Sequence, residues 1–352
     1  MLNHICNLRC SYCSIKRELT DDNVVASDDH IDDTISYIKG KQTSVSDDKV
    51  VFFGGEPLLS IERIERFIRK SKELSLQYFL YTNGTLLDKL HNHVVENLDA
   101  MFISIDGSKE SHEKHRGVGT FDKIISNVRN IKSYNNDVKL IARITLEEDA
   151  DVYTSVINLI DDFDAVHWQI VNKPHFDDPD TFILRYSRQI EKLGNMWLEN
   201  LRLGRMLNIV PFQGIVGNLI FNGNLNNSFL CGTGRHLETI DLDGSIYWCD
   251  ELLGIDTGVS GNIQNKGHKV ENETHCDIFE DCRLCDVSNL CLGRCKKSLK
   301  YDNADQIRRY CQLTKILIHY FVKNKSEMSD LIKSKFTKND LFSIAQYTEI
   351  IP

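Results

Sequence analysis

Residues 6–13 read CNLRCSYC, in which Cys6, Cys10 and Cys13 follow a C-x3-C-x2-C spacing. Three thiolates this close in sequence can ligate three irons of a cubane iron–sulfur cluster, which leaves the fourth iron open for a small molecule. Zinc is the alternative, but a structural zinc site takes four protein ligands. His4 is too near in the chain to be a convincing fourth. The spacing therefore favours an iron–sulfur cluster over zinc.

Around this loop the chain alternates between short β-rich apolar runs and stretches with apolar residues at helical spacing. The predicted strands are Met1–Ile5, Lys49–Phe53, Gln77–Thr82, Ala100–Ile105, Lys139–Thr145 and Val166–Val171. The predicted helices are Ile31–Ile38, Ile61–Ser71, Phe121–Ile131, Val152–Ile160 and Thr181–Leu203. Strands that alternate with helices indicate an α/β fold with a parallel sheet of right-handed βαβ units. Six strands predict a partial (β/α)6 TIM-like barrel, with its chemistry at the carboxyl ends of the strands.

Short motifs of small and polar residues follow three of the predicted strands. They are GGEP at residues 54–57, TNG at residues 82–84 and SIDG at residues 104–107. Each could be an ordinary turn when taken alone. Because the carboxyl ends of parallel strands meet at one rim, we expect them to lie beside the three front cysteines. The two glycines of GGEP would let a ligand approach the backbone, and its carboxylate could accept a hydrogen bond from an ammonium group.

The composition limits the class of protein. The chain has 352 residues, which suggests two domains, and its 42 Lys plus Arg against 51 Asp plus Glu give a net charge of −9. This acidic balance argues against a protein that binds nucleic acid by neutralising phosphates. No run approaches the roughly 18 apolar residues of a membrane span. The first residues lack the pattern of a signal peptide. We therefore expect a cytoplasmic protein without nucleic-acid or membrane partners.

Cysteine is concentrated near the two ends of the chain. The eleven cysteines cannot all pair within one chain, because their number is odd. The rear group comprises Cys231, Cys249, Cys276, Cys282, Cys285, Cys291, Cys295 and Cys311. Without an export signal, such clusters indicate metal rather than disulfides. The spacing C-x2-C-x5-C-x3-C of residues 282–295 could, on its own, be a zinc ribbon.

With these motifs in this order, the chain resembles the radical S-adenosylmethionine (SAM) enzymes. The residues that carry the resemblance are CNLRCSYC, GGEP, TNG and SIDG. It implies that Cys6, Cys10 and Cys13 hold a 4Fe–4S cluster whose open iron binds SAM. An electron then cleaves SAM to a 5′-deoxyadenosyl radical, which abstracts a hydrogen atom from the substrate. By position, the residues implied in SAM binding are Tyr12, Gly55, Glu56, Ser104 and Arg116.

The rear cysteines, apart from Cys276, resemble the SPASM extension of these enzymes, which holds auxiliary 4Fe–4S clusters. The resemblance implies that a substrate-proximal cluster is held by Cys231, Cys249 and Cys295. The implied ligands of a distal cluster are Cys282, Cys285, Cys291 and Cys311, for three clusters in all. Leu225 stands where sulfatase-maturating relatives have a further cysteine. The fourth proximal position is then open, filled by substrate or filled by Cys276, which is otherwise a plain thiol.

The resemblance covers roughly residues 1–320 and divides the chain into three parts. We expect a radical SAM partial barrel at residues 1–205 and a cysteine-rich SPASM domain at residues 206–325. Ala304–Lys323 is predicted to be a helix that carries Cys311. Residues 326–352 form a tail without an assigned structure.

Asp250 is the candidate catalytic residue, since it follows Cys249 and matches an aspartate proposed as the proton acceptor in sulfatase maturases. It could instead be a solvated acid in a turn. The first hypothesis for function is an oxidoreductase that cross-links side chains of a ribosomally made precursor peptide in a net two-electron oxidation. The alternative is an anaerobic sulfatase maturase that converts Cys or Ser to formylglycine, and a third is a zinc protein without redox chemistry. For either enzyme the expected partners are the peptide or protein substrate and an electron donor such as flavodoxin or ferredoxin.

Overall fold

The structure is a computed structural model that describes residues 1–13, 25–42, 48–221, 231–265, 267–268, 275–345 and 351–352. The chain divides into two compact units. The first comprises Met1–Ile105, Lys109–Ile141 and His236–Glu271. The second comprises Asp106–Ser108, Ala142–Arg235 and Asn272–Pro352. Each unit is assembled from separate stretches of the chain, and the domain limits at residues 205 and 325 stay a prediction.

A five-stranded sheet confirms the α/β class. Its strands are β1 (Asp48–Phe52), β2 (Leu76–Thr82), β3 (Ala100–Ser104), β4 (Lys139–Leu146) and β5 (Ala165–Ile170), in that order across the sheet. The β1–β2 and β2–β3 pairs are parallel. Strand order follows chain order because each intervening helix returns the chain to a neighbouring position in the sheet. Five of the six predicted strands are therefore present, and the fold is a partial barrel.

The predicted first strand, Met1–Ile5, is wrong as an element of this sheet. The segment is extended and bonds to the chain that follows β1. Leu2 N–H donates to the Phe53 carbonyl at 2.8 Å, Gly55 N–H to Asn3 at 3.0 Å and Glu56 N–H to Ile5 at 2.7 Å. The ladder stops there because its partner turns into a 3-10 helix at Pro57–Ser60.

Helices separate the strands as the apolar spacing predicts. They are α1 (Asp28–Lys41), α2 (Ile61–Lys70), α3 (Asn92–Val95), α4 (Lys109–Arg116), α5 (Thr120–Tyr134), α6 (Val152–Ile157) and α7 (Pro179–Arg202). In α7 the side chain of Asp178 caps Thr181 N–H, and Pro179 occupies the first turn, where its missing N–H costs nothing. The short α3 and the polar α4 were not predicted.

The cysteine-rich part begins after an apolar helix that was also not predicted, α8 (Val210–Phe221). A four-stranded antiparallel sheet follows, with β6 (Thr239–Ile240), β7 (Ser245–Tyr247), β8 (Val259–Asn262) and β9 (Gly267–His268). The later helices are α9 (His275–Ile278), α10 (Ser288–Cys291), α11 (Lys296–Tyr301), α12 (Ala304–Lys323), α13 (Lys325–Lys335) and α14 (Lys338–Ala345).

Helix α12 has the predicted bounds and packs on α7. A Cβ on Gly194 would lie 2.2 Å from the ring of Tyr320, so the absence of a side chain there lets the two helices approach. Phe321 adds edge contacts to Trp197, at 6.0 Å between ring centroids. The tail at residues 326–352, for which the sequence predicted no structure, contains α14 and all of α13 except its first residue. Among the described residues no helix is both long and apolar enough to cross a membrane.

Candidate metal centres

Two hydrogen-bond donors point at Cys6, the first thiol of the front cysteine loop. Cys6 and Cys13 are exposed and Cys10 is half-buried. Leu8 N–H donates to Cys6 Sγ at 3.4 Å, and Asn83 Nδ2 lies 3.8 Å from the same sulfur. Donors of this kind favour the thiolate, which is the form that binds metal. The loop therefore suits a cluster ligand at Cys6.

Electrostatics support the same assignment. Although Cys6 is exposed as a residue, partial desolvation of its sulfur raises its pKa; the Leu8 N–H lowers it, and the charges of Glu56, Cys10 and Cys13 raise it further. The three thiols are thus close enough for their charges to repel one another. Iron ions between them would offset that repulsion and favour the thiolates.

The glycines of GGEP hold the cysteine loop in place. A Cβ on Gly55 would lie 2.2 Å from the carbonyl oxygen of Ile5, and one on Gly54 would lie 2.6 Å from that of Asn3. Sequence reasoning assigned this pair to the close approach of a ligand. In the structure the pair admits the backbone of residues 3–5, which leads directly into Cys6.

Glu56 connects two loops of the rim. Its side chain is 0% exposed and accepts from Leu58 N–H at 3.0 Å, Thr82 Oγ1 at 2.7 Å and Asn83 N–H at 2.7 Å. Burial raises the pKa of Glu56, and these three donors oppose that rise. A carboxylate has about four acceptor positions, so the donors use most of them. The contact between Glu56 and the amine of SAM stays a prediction.

A hydrogen-bond network around Asn83 was missed by sequence reasoning, although TNG was noted as a motif. Asn83 Oδ1 accepts from Thr85 N–H at 3.0 Å and from Thr85 Oγ1 at 2.7 Å. Asn83 Nδ2 donates to Asn7 Oδ1 at 2.8 Å, and Asn7 Nδ2 donates to Thr85 Oγ1 at 2.9 Å. An Asn two positions before Thr is a local turn signal, but the pattern does not reveal its partner in the cysteine loop.

The end of α4 packs against the same loop. Ser11 N–H donates to the His115 carbonyl at 3.0 Å, and Ser11 Oγ lies 2.8 Å from His115 Nδ1. The Tyr12 ring lies 5.5 Å from the His115 ring and 5.2 Å from the Arg116 guanidinium carbon. Tyr12 and Arg116, both implied in SAM binding, are therefore in contact. Ser104 is half-buried at the end of β3.

The second unit contains a small cysteine-lined cavity, with about 30 Å³ of space for a water-sized sphere. The cysteines in its wall are Cys282, Cys285, Cys291, Cys295 and Cys311. Four of them are the implied distal ligands. The fifth, Cys295, was implied for the proximal cluster.

Two of the cavity-lining thiols, those of Cys282 and Cys291, resist ionisation in the absence of a cation. Burial, followed by the charges of neighbouring cysteines, raises the pKa of Cys282 to about 12. Burial and the charges of Cys311 and Cys282 raise the pKa of Cys291 to about 12, which a bond from Gly293 N–H partly opposes. Two buried and three half-buried cysteines around one cavity form a site that iron would stabilise as thiolates.

The remaining candidates are divided between the units. Cys231 is exposed in the second unit, whereas Cys249 is buried in the first, beside Trp248 and Leu252. Asp250 begins a 3-10 turn and is half-buried. Leu225 lies outside the described residues.

Cys276 lies in α9, outside the set of cavity-lining thiols. It is half-buried, and its Sγ is 4.0 Å from Ser288 Oγ. Its charge contributes to the raised pKa of Cys282. Cys276 is therefore near the distal ligands without being one of the implied set.

Comparison with known proteins gives a family match and several relatives. Residues 2–151 match the radical SAM superfamily. The chain is 24% identical over 369 aligned residues to the cysteine-type anaerobic sulfatase-maturating enzyme of Clostridium novyi, covering 94% of this chain and 95% of that protein. It is 28% identical over 131 residues to a probable GTP 3′,8-cyclase of Saccharolobus islandicus, covering 36% of this chain and 41% of that protein.

Two solved structures share the fold. Native anSMEcpe with bound AdoMet, an anaerobic sulfatase-maturating enzyme, superposes with a TM-score of 0.74 at 22% identity, over 94% of this chain and 97% of that chain. Streptococcus suis SuiB bound to the precursor peptide SuiA superposes with a TM-score of 0.56 at 14% identity, over 87% and 74%. The likeness to anSMEcpe extends over nearly the whole of both chains.

Proposed function

We propose that the chain is a radical SAM maturase that oxidises a cysteine or serine side chain of a protein substrate to formylglycine. The observation that carries the proposal is the extent of similarity to the Clostridium novyi maturase, which reaches 94% of this chain and 95% of that protein. Similarity restricted to the barrel would support only the shared radical chemistry. The cysteine-rich part is included in the match.

The reaction balances as a two-electron oxidation. A serine side chain loses a pair of hydrogen atoms in this oxidation: SAM bound at the front site would supply the radical chemistry that removes one as an atom, and a base would take the other as a proton. The remaining electron passes to a one-electron carrier of the flavodoxin or ferredoxin type. With cysteine the same loss leaves a thioaldehyde, which water hydrolyses to the aldehyde with release of hydrogen sulfide.

Three sets of cysteines would hold 4Fe–4S clusters. The proposed ligands are Cys6, Cys10 and Cys13 at the front, Cys231, Cys249 and Cys295 for the proximal cluster, and Cys282, Cys285, Cys291 and Cys311 for the distal one. When bound, the front cluster supplies the electron that cleaves SAM. The cysteine-lined cavity supports the distal set, and the donors at Cys6 support the front set.

The proposed SAM-binding residues are Tyr12, Gly55, Glu56, Ser104 and Arg116. The Arg116 guanidinium lies over the Tyr12 ring, which supports a common binding surface. Gly55 and Glu56 connect the first residues to the end of β2 through backbone and carboxylate bonds. Ser104 is proposed from its place at the end of β3.

Asp250 is the proposed base, and Asp250→Asn should uncouple SAM cleavage from product formation. General bases contribute about 10²- to 10⁴-fold, so we expect at least about 100-fold less formylglycine while 5′-deoxyadenosine still forms. The measurement is the ratio of the two products. The matched control is Glu251→Gln at the exposed neighbouring acid, which should keep the wild-type ratio. A wild-type ratio in Asp250→Asn would mean that Asp250 is a solvated turn residue.

The second candidate is the peptide cross-linking enzyme that sequence reasoning put first. Leu225, in place of a further cysteine, favours it, as does the likeness of fold to SuiB. That likeness covers 74% of the SuiB chain, against 97% for anSMEcpe. The comparisons thus support the sulfatase maturase better than the cross-linking enzyme.

Incubation with defined peptides separates these candidates. We expect a peptide that spans a sulfatase maturation site, in cysteine and serine versions, to gain an aldehyde that a hydrazide reagent captures. A short precursor peptide, if one is encoded beside the gene, should keep its mass. Loss of about two hydrogens from the precursor peptide without aldehyde formation would instead assign the cross-linking function. A chain in which Cys6 is replaced with alanine controls for spontaneous oxidation.

A further inference from the structure

Asn83 is fixed in orientation by the groups around it. Its Oδ1 accepts two hydrogen bonds from Thr85, so the amide oxygen must face that residue. Its Nδ2 then faces Asn7 Oδ1, an acceptor, and Cys6 Sγ. The opposite assignment of the amide atoms would place Asn83 Oδ1 against Asn7 Oδ1, and the Thr85 N–H against the NH2 group of Asn83. Neither pair can form a hydrogen bond, so the network fixes the orientation of the Asn83 amide.

The backbone of Asn83 is fixed as well. Asn83 N–H donates to the buried carboxylate of Glu56 at 2.7 Å, and the side chain is 8% exposed. Thr82, one position earlier, donates to the same carboxylate. The Nδ2 group is therefore presented to the sulfur by a rigid support and not by a mobile surface side chain.

We propose that Asn83 raises the reduction potential of the front cluster by donating a hydrogen bond from Nδ2 to the Cys6 thiolate. The inference rests on the proposed front ligand set. Reduction adds one electron and no proton to the cluster, and part of that negative charge is carried by the ligand sulfurs. A donor aimed at sulfur therefore stabilises the reduced form more than the oxidised form. Asn83 is a positioning residue in this role, since it acts through Cys6.

The test is a redox titration of the reconstituted full-length protein, followed by EPR of the reduced front cluster. That signal is identified as the one missing when Cys6, Cys10 and Cys13 are alanine. Asn83→Ser removes the amide donor without adding charge. We expect its reduction equilibrium to shift at least about threefold toward the oxidised form, or about 28 mV on a scale of 59 mV per tenfold change.

Asn127→Ser is the matched control. Asn127 is also a buried asparagine and donates to the carbonyl of Gly84 in the same loop, but its described contacts do not include Cys6. Its potential should equal that of wild type. An unchanged potential in Asn83→Ser, with the same iron content as wild type, would overturn the inference.

A measurement on the unaltered protein covers the case in which Asn83→Ser fails to load iron. In protein labelled with ¹⁵N-asparagine, pulsed EPR of the reduced front cluster should detect a coupled nitrogen. That coupling should persist in Asn127→Ser. Absence of coupling in the labelled wild-type protein would equally contradict the hydrogen bond. A wild-type protein that binds no iron at the front cysteines would instead refute the ligand set. Neither result depends on the identity of the protein substrate.

Discussion

Replacing Cys6, Cys10 and Cys13 together with alanine will abolish formation of 5′-deoxyadenosine from SAM. These are the three proposed ligands of the front cluster, and no other cysteine occurs before residue 231 to replace them. Anaerobically reconstituted wild-type protein should contain about 12 iron atoms per chain, and the variant about 8. Iron analysis and quantification of 5′-deoxyadenosine by chromatography provide the two measurements.

Cys276→Ala is the control for this variant. Cys276 is half-buried and does not line the cavity of the distal ligands, so its removal should leave the iron content and SAM cleavage unchanged. Zinc in place of iron throughout the wild-type protein would contradict the whole assignment. Retained SAM cleavage in the triple variant would contradict the front ligand set alone.

Gly55→Ala will disrupt the front site although Gly55 is not a metal ligand. The new Cβ would lie 2.2 Å from the Ile5 carbonyl oxygen and 2.5 Å from its carbon, both backbone atoms. The chain leading into Cys6 must therefore move. We expect a loss of about 1–3 kcal/mol in the free energy of unfolding, typical of an overpacked site, together with loss of SAM cleavage. Chemical denaturation and the 5′-deoxyadenosine assay test both expectations.

Gly40→Ala is the matched substitution at an unhindered site. Gly40 lies in α1, and a Cβ there would meet nothing within 4 Å. Alanine is favoured over glycine in a helix by up to about 1 kcal/mol, so this variant should be at least as stable as wild type and fully active. If Gly55→Ala behaved in the same way, the close packing of GGEP against the first residues would not matter.

Some helices and strands could be predicted from the sequence and others could not, for physical reasons. The strands β1 to β5 were predicted because strands of a parallel sheet are continuous apolar runs between turn signals. Helix α12 was predicted to its ends, and in the structure the side chain of Asn303 caps Gln306 N–H at its start. Met1–Ile5 was misassigned because an extended apolar segment has the same pattern whether or not it joins a sheet. Helix α4 was missed because KESHEKHR has no apolar face.

The candidate site shows the same division. Cysteine spacing is local in sequence, so the ligand sets could be proposed from the chain alone. The partners of Glu56 could not, because Thr82 and Asn83 are more than twenty residues away and meet it only through the pairing of β1 with β2. Only the fold shows that the second glycine of GGEP, Gly55, leaves room for the backbone of Ile5.

The contact between His4 and Asp241 has a consequence for the order of events during synthesis. His4 Nε2 lies 2.8 Å from Asp241 Oδ1, across 237 positions of the chain, and both belong to the first unit. A ribosome adds about 5–20 residues per second, so at least about ten seconds separate the emergence of these two residues. During that interval the thiols beside His4 lack the support of this contact. We expect newly made chains halted before residue 241 to bind iron at the front cysteines less firmly than complete chains, and iron insertion to be a late step of biogenesis.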